Sequence, residues 1–325
     1  MHVLTLTTNE DAPFLSQQVA ALERRGVSFT TLAVPGDPAG TEGRGPLDYL
    51  RYVPRVIREA GPEYDLVHAH YGLIAPMALA QARLPVVLSL WGSDLLGSVA
   101  PISRFCARFC EEVIVMSAEM RRHLDGDCEV IPDGIDLERF EPRDRNAARA
   151  AVGWTENGYD VLFPYAPSRT IKDHPRAKRI VARADERLDR PVTLRTVYGV
   201  DHDEIPTYMN AADALLLTSE SEGSPNAVKE ALACNVPVVS TAVGDVPERL
   251  DGIDPSTVGE TDLELVDGLV SVLRRGERPN GRAAVRELSL ERTTDAWLDV
   301  YERAVGRETV RRPRRRASRS RPSAE

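Results

Sequence analysis

Two glutamates, Glu222 and Glu230, stand eight positions apart in the stretch LLLTSESEGSPNAVKEALACNVPVVST, with Gly223, Ser224, Pro225 and Asn226 following the first of them. The apolar run before them reads as a buried strand ending at Thr218, and Pro225 suits the opening turn of the helix that follows. A helix start offers free backbone N–H groups and the positive end of a dipole, which together seat a phosphate. Gly223 lets a ligand approach the main chain closely. Glu230, one to two turns into the helix, is placed to accept hydrogen bonds from a ribose diol, and Glu222, on the loop, to contact a sugar. A second polar stretch, FPYAPSRTIKDHPRA, carries Arg169 and Lys172 just past another apolar strand. Two cations there can neutralise a diphosphate and stabilise the charge that develops as it leaves. The plain alternatives are solvated carboxylates capping a helix and a solvated basic pair.

Residues so far apart need a scaffold that gathers strand ends. The apolar pattern predicts strands over 1–7, 27–34, 66–69, 86–90 and 112–116, separated by helices over 14–25, 47–59, 74–83 and 103–110. It restarts with strands over 161–164, 192–198, 214–218 and 236–240 and helices over 177–188, 205–211, 227–234 and 246–250. Such alternation folds into open, mostly parallel α/β sheets covered on both faces. We expect two Rossmann-like domains, residues 1–150 and 151–289, facing across a cleft. An amphipathic helix at about 290–306 returns to the first domain, and an Arg-rich disordered tail covers 307–325. Ligands of such sheets sit beyond the carboxyl ends of the strands, where loops 9–13, 70–71, 91–94, 167–172 and 220–225 fall.

The stretch around Glu222 and Glu230, an EG-x-P…EA frame, resembles the donor site of the retaining glycosyltransferases of family 4, which have the GT-B fold. In that family the first Glu contacts the transferred sugar and the second binds the ribose. An Arg and a Lys stand where Arg169 and Lys172 do, here in a shorter P-x-R-x-x-K spacing. The segments DLVHAHYGLIAP and PVVLSLWGSDLL resemble the family's acceptor-side loops, which makes His70, Trp91 and Asp94 candidates on the acceptor or sugar side. VIVMSAEMRRHL and VIPDGIDLERF match its end-of-domain pattern, with Ser117 and the turn at 134–136 holding the hinge. There are two departures. Trp91 stands where many members have a His that hydrogen-bonds the donor sugar or its phosphate; an indole cannot accept a proton, so that role is lost or moves to a group such as His70. NEDAPF stands where many members have paired glycines.

The resemblance covers about residues 1–305 and is densest over 160–250. It implies a retaining, metal-independent transfer from a nucleotide-sugar to a glycan, lipid-linked or small-molecule acceptor. No cofactor is expected, because the nucleotide-sugar is a substrate. The rival readings are an inactive nucleotide-sugar-binding partner protein and a GT-B nucleotide-sugar epimerase.

Composition narrows the field further. Net charge is −9, with eight Arg against two Glu in residues 307–325, so the rest of the chain is strongly acidic and unsuited to binding nucleic acid over a broad face. Only Lys172, Lys178 and Lys229 are lysines, and an acidic chain with so few suggests adaptation to a salty cytosol. No GxGxxG or P-loop occurs, which sets aside nicotinamide dehydrogenases and P-loop enzymes. Cys106, Cys110, Cys128 and Cys234 lack metal-ligand or disulfide spacing and read as buried thiols, and no metal site is expected. Without a long apolar run or a secretory-type start, the chain is expected in the cytoplasm. Peripheral contact with the inner membrane face could come through the helix bearing Arg51, Arg55 and Arg58.

Overall fold

A computed structural model describes residues 1–10, 12–36, 44–154 and 157–311. The first half runs β1 (His2–Thr7), α1 (Pro13–Glu23), β2 (Ser28–Ala33), α2 (Pro46–Glu59), β3 (Leu66–His70), α3 (Ala75–Ala80) and β4 (Val86–Leu90), then α4 (Ser93–Leu96), α5 (Ala100–Ala107), β5 (Glu112–Val115), α6 (Ala118–Arg121) and β6 (Glu129–Val130). The second runs α7 (Arg145–Val152), β7 (Tyr159–Phe163), α8 (His174–Asp185), β8 (Val192–Thr196), α9 (Ile205–Ala211) and β9 (Ala214–Leu217). It closes with α10 (Asn226–Ala233), β10 (Val238–Thr241), α11 (Val246–Leu250), β11 (Thr257–Gly259), α12 (Asp262–Arg275), α13 (Gly281–Ala284) and α14 (Leu290–Arg311).

Two parallel sheets result, ordered β2-β1-β3-β4-β5-β6 and β11-β10-β9-β7-β8. β3, LVHAH, and β4, VVLSL, are buried along their whole length, as strands covered on both faces must be. In each sheet the chain starts at an inner strand, builds to one side, then crosses back. Strand order therefore reverses between β1 and β3 in the first sheet and between β7 and β9 in the second, and the loops leaving those pairs diverge to open a crevice.

The halves are tied together twice. Ile135 N–H donates to the Leu288 carbonyl at 2.8 Å and Leu290 N–H to the Ile135 carbonyl at 2.9 Å, so the outgoing and returning chains run side by side. α14 then buries Trp297, Val300, Tyr301 and Ala304 in the core of the first half, against α1 and strands β3 to β5.

Several elements differ from the sequence expectation for local reasons. The helix expected over 74–83 is a single 3-10 turn, Gly72–Ile74, followed by the short α3, because the Gln81 side chain turns back to accept from the N–H groups of Arg83 and Leu84. The helix near 103–110 begins earlier, at Ala100, where Pro101 opens its first turn. The joining segment contains α7, capped by the Asp144 side chain accepting from Ala147 N–H at 2.8 Å and closed by left-handed Gly153. α7 packs on α9 and so joins the second half. α12, which the apolar pattern left unassigned, starts in a reciprocal cap between Thr261 and Glu264. α14 continues past residue 307 to Arg311; residues 312–325, which hold most of the expected tail, lie outside the described residues.

Candidate active site

The crevice between β7 and β9 gathers the charged residues. The loop after β7 ends in a 3-10 turn, Thr170–Lys172, and is stitched to the end of β9. Thr218 Oγ1 donates to the carbonyls of Lys172 and Asp173 at 2.8 and 3.0 Å, and Glu220 N–H to the Ile171 carbonyl at 2.9 Å. Thr241 Oγ1, at the end of β10, donates to the Ser219 carbonyl at 2.8 Å. Three strand ends are thereby held as one platform.

On this platform Lys172, buried, donates to Glu222 Oε1 in an ion pair and sets its ammonium 3.9 Å from the Tyr165 ring centroid. Burial lowers the Lys172 pKa from its ordinary value, against the pull of Glu222. Arg169 is exposed, with its guanidinium 5.5 Å from the same ring. Burial, with the charges of Glu222 and Glu230, holds the Tyr165 phenol well above its usual range, so it stays a neutral wall between two cations. Glu230 lies 3.5 Å from His202 Nε2, and His202 Nδ1 is 2.7 Å from the Arg139 guanidinium.

Pro225 sits at the cap of α10 without a side-chain cap, and the backbone N–H groups of Gly223, Ser224 and Asn226 have no partner among the described residues. They are available donors at a positive helix end. The side chains here turn away from the crevice. Ser224 Oγ donates to Asp245 Oδ2 at 2.8 Å, and Asn226 Nδ2 to Asp133 Oδ2 at 3.0 Å. Below them Lys229 is wholly buried and donates to the Asp133 carbonyl at 3.0 Å. Burial lowers its pKa and raises that of Asp133. Two of the three lysines are thus inside the structure at this site, while Lys178 is exposed on α8.

The first half supplies the opposite wall. His68 and His70 point to the same side of β3, with rings 3.7 Å apart. His68 is held by Tyr301 Oη at 2.7 Å and Ser89 Oγ at 2.8 Å, whereas His70 Nδ1 is buried without a partner. Burial pushes the His70 pKa down to about 3 and holds that of His68 well below its ordinary value, so both imidazoles are neutral. Trp91 stacks on His70, 5.9 Å between ring centroids at 19°, and tilts against Phe14 at 4.5 Å. The residue in place of the family's His therefore lies directly against His70.

Asp94 faces inward. Its carboxylate accepts from the N–H groups of Trp91, Gly92 and Gly72 at 2.8, 3.0 and 3.0 Å, pinning the loop after β4 to the loop after β3. Burial raises its pKa, opposed by those three bonds. The pinned turn holds Tyr71 at φ 111°, a conformation that a non-glycine residue keeps only where its surroundings enforce it.

The walls meet main chain to main chain. A Cβ on Gly223 would lie 2.8 Å from the Trp91 carbonyl and 2.9 Å from Met120 Sδ, and a Cβ on Gly92 (φ +130°) would lie 3.2 Å from Gly223 N. Only glycines allow this approach. The structure thus brings Arg169, Lys172, Glu222, Gly223 and the start of α10 together, sets Glu230 a turn further along that helix, and touches them with Trp91. Asp94 shapes the loop from within, and His70 stands behind Trp91. Sequence reasoning passed over Tyr165, whose signal was an aromatic between a strand end and two cations. It also missed Asp133, which meets Asn226, 93 positions away, and His202, which meets Glu230 on α10. No group of three or more His, Cys, Asp or Glu that could hold a metal is found among the described residues.

Comparison with known proteins agrees with this geometry. Residues 169–275 match the family model for glycosyl transferases group 1, and residues 1–132 match that for a glycosyl transferase 4-like domain. D-inositol 3-phosphate glycosyltransferase of Mycobacterium bovis (strain BCG / Pasteur 1173P2) is 33% identical over 308 residues, covering 78% of this chain and 64% of its own length. Sucrose-phosphate synthase from Thermosynechococcus elongatus superimposes with a TM-score of 0.76 at 18% identity, over 94% of this chain and 100% of its own. Anabaena Alr3699/HepE in complex with UDP gives 0.70 at 16% identity, over 93% of this chain and 100% of its own. Two matched domains in order, on two facing parallel sheets, decide the assignment: the chain belongs to the family 4 glycosyltransferases (glycosyl transferases group 1), with the GT-B fold.

Proposed function

We propose that the chain is a retaining, metal-independent transferase that moves a sugar from a nucleotide-sugar donor to an acceptor held on the first half. The observation that carries this reading is the buried Lys172–Glu222 pair beside Arg169, at the mouth of an uncapped helix start. Arg169 and the N–H groups of Gly223, Ser224 and Asn226 would hold the diphosphate. Lys172, from its buried position, and Arg169, from the exposed rim, would stabilise the charge that grows on the leaving phosphate. Glu222 would face the sugar and Glu230 the ribose. The acceptor would attack from the face the nucleotide leaves, its proton passing to the departing phosphate, so that the anomeric configuration is kept. Trp91, pressed on Gly223, would close the site over the sugar.

Neighbours in complex with UDP and with UDP-glucose favour a UDP-sugar as the first donor to try. The curated relatives favour a small phosphorylated polyol as the first acceptor, although the chain spans only 64% of their length. The test is a panel of UDP-, GDP- and ADP-sugars, scored by thermal shift and by slow donor hydrolysis, on the wild type and Glu222→Ala. Stabilisation by one donor, with hydrolysis that disappears in the variant, is the expected result. Stabilisation without turnover would instead make the chain a nucleotide-sugar-binding protein.

A further inference from the structure

We propose that His202 is a positioning residue for the ribose site. Braced by Arg139 of the segment joining the two halves, it holds the Glu230 carboxylate in place, and the chain thereby selects ribonucleotides over 2′-deoxyribonucleotides. The proposal rests on the donor reading, in which Glu230 binds the ribose. The two glutamates of the site are held differently. Glu222 has Lys172, whereas the largely buried Glu230 side chain has one polar neighbour among the described residues, His202 Nε2 at 3.5 Å. His202 stands in the loop after β8, residues 197–204, and Glu230 on α10, so the contact joins two segments at the strand ends.

The partners fix the tautomer of His202. A guanidinium has N–H donors and no acceptor. Arg139 lies 2.7 Å from Nδ1, so Nδ1 accepts and the ring hydrogen is on Nε2, the atom that faces Glu230. At 3.5 Å the contact is at the outer limit of a hydrogen bond, and such bonds tighten once a ligand is seated. Arg139 is itself fixed. Its other terminal nitrogen pairs with Asp203 Oδ1 at 3.1 Å, so one guanidinium grips two successive residues of the loop. Its backbone N–H donates to Asp136 Oδ1 at 3.1 Å, and Arg282 donates to the carbonyls of Leu137 and Phe140 on either side. Phe140, buried in the second half's core, sets its ring 5.7 Å from that of His202, edge to face. Together these contacts leave the imidazole one orientation. A carboxylate held before the ligand arrives loses less freedom on binding, which raises affinity. A mere clamp on the loop would need no N–H aimed at Glu230.

The test titrates the full chain calorimetrically with UDP, GDP and ADP, then with the 2′-deoxy form of whichever binds most tightly. The wild type should favour the ribonucleotide about tenfold, because the deoxy form leaves a held carboxylate without its donor. His202→Phe should weaken the ribonucleotide about tenfold and leave the deoxy form nearly unchanged, which erases the preference. His202→Gln, whose amide N–H can take the place of Nε2–H, should restore most of it, and Arg139→Met should fall between. Nitrogen-15 spectra of the ligand-free wild type should place the His202 hydrogen on Nε2. A His202→Phe variant that weakens both nucleotides equally, or neither, would overturn the proposal and leave His202 a structural part of its loop. A hydrogen on Nδ1 would overturn it as well, whatever the nucleotides do. A wild type that binds none of the three nucleotides would remove the donor reading, and this proposal with it; binding without discrimination would remove this proposal alone.

Discussion

At the strand-order reversal of the second sheet the loops end in charge: Arg169, Lys172 and Glu222 crowd one aromatic ring, and the helix beside them leaves its N–H groups free. At the reversal of the first sheet they end in neutral rings, with His70 stacked between Trp91 and His68 and buried deeply enough to stay uncharged. Topology is shared and chemistry is not. One crevice gathers ionised side chains and free N–H donors, and the other presents neutral rings. The contrast teaches that the fold decides where a ligand lies, whereas a few side chains at the reversal decide which ligand it is.

The largest expected effect tests the charged side. Lys172→Met should lower kcat/KM by about 10² to 10³ while circular dichroism stays unchanged, because it removes the cation proposed to stabilise the leaving group. An unchanged rate would erase the distinction between the two crevices. Next is the seam between them. Gly223→Ala places a methyl group 2.8 Å from the Trp91 carbonyl. Denaturant unfolding should show a loss of about 1–3 kcal/mol, with weaker donor binding. An alanine that costs nothing would mean that the two loops do not meet in solution.

A smaller effect comes from the neutral side. Both imidazoles have folded-state pKa values below the unfolded value of about 6.5. Below that pH the unfolded chain binds protons that the folded chain refuses, so stability falls as pH drops from about 6.5 toward about 3, and neither group contributes above it. Each imidazole adds a slope of up to about 1.4 kcal/mol per pH unit. Comparing denaturation of the wild type and His70→Phe at pH 7 and pH 5 should show the slope reduced by one imidazole's share. Identical slopes would mean that His70 is protonated in the folded state. The smallest and least local effect is on salt: the acidic chain should gain stability between low and molar salt, and no change would remove the salt-adapted reading.

How far the sequence carried the argument follows the same division. The charged loops after β7 and β9 were legible because each follows a short apolar strand, VLF before Arg169 and LLL before Glu222, and charge just beyond a buried strand stands out. That Lys172 reaches Glu222, fifty positions away, was not, since it depends on Thr218 drawing the two loops together. Asp94 was read as an acceptor- or sugar-side residue because PVVLSLWGSDLL resembles the family's acceptor-side loops. Its actual partners include Gly72 N–H, which belongs to a different loop. α7 escaped notice because RNAARAAV is rich in Ala and Arg and weakly apolar, although Asp144 and Gly153 marked both its ends. Contacts such as Gly223 on Trp91 require the relative placement of the two halves, which no local pattern encodes.

The burial of Lys172 and Lys229 also has a practical consequence for labelling. Amine-reactive reagents applied to the folded protein meet one accessible lysine amine, Lys178. A fluorophore attached there sits on α8, six residues along the chain from Lys172, and can report on changes in the loop after β7 without touching it. The two hidden amines serve as an internal alarm. When they begin to take up reagent, the second half has opened, and mass spectrometry of two peptides would register that event before activity or light scattering did.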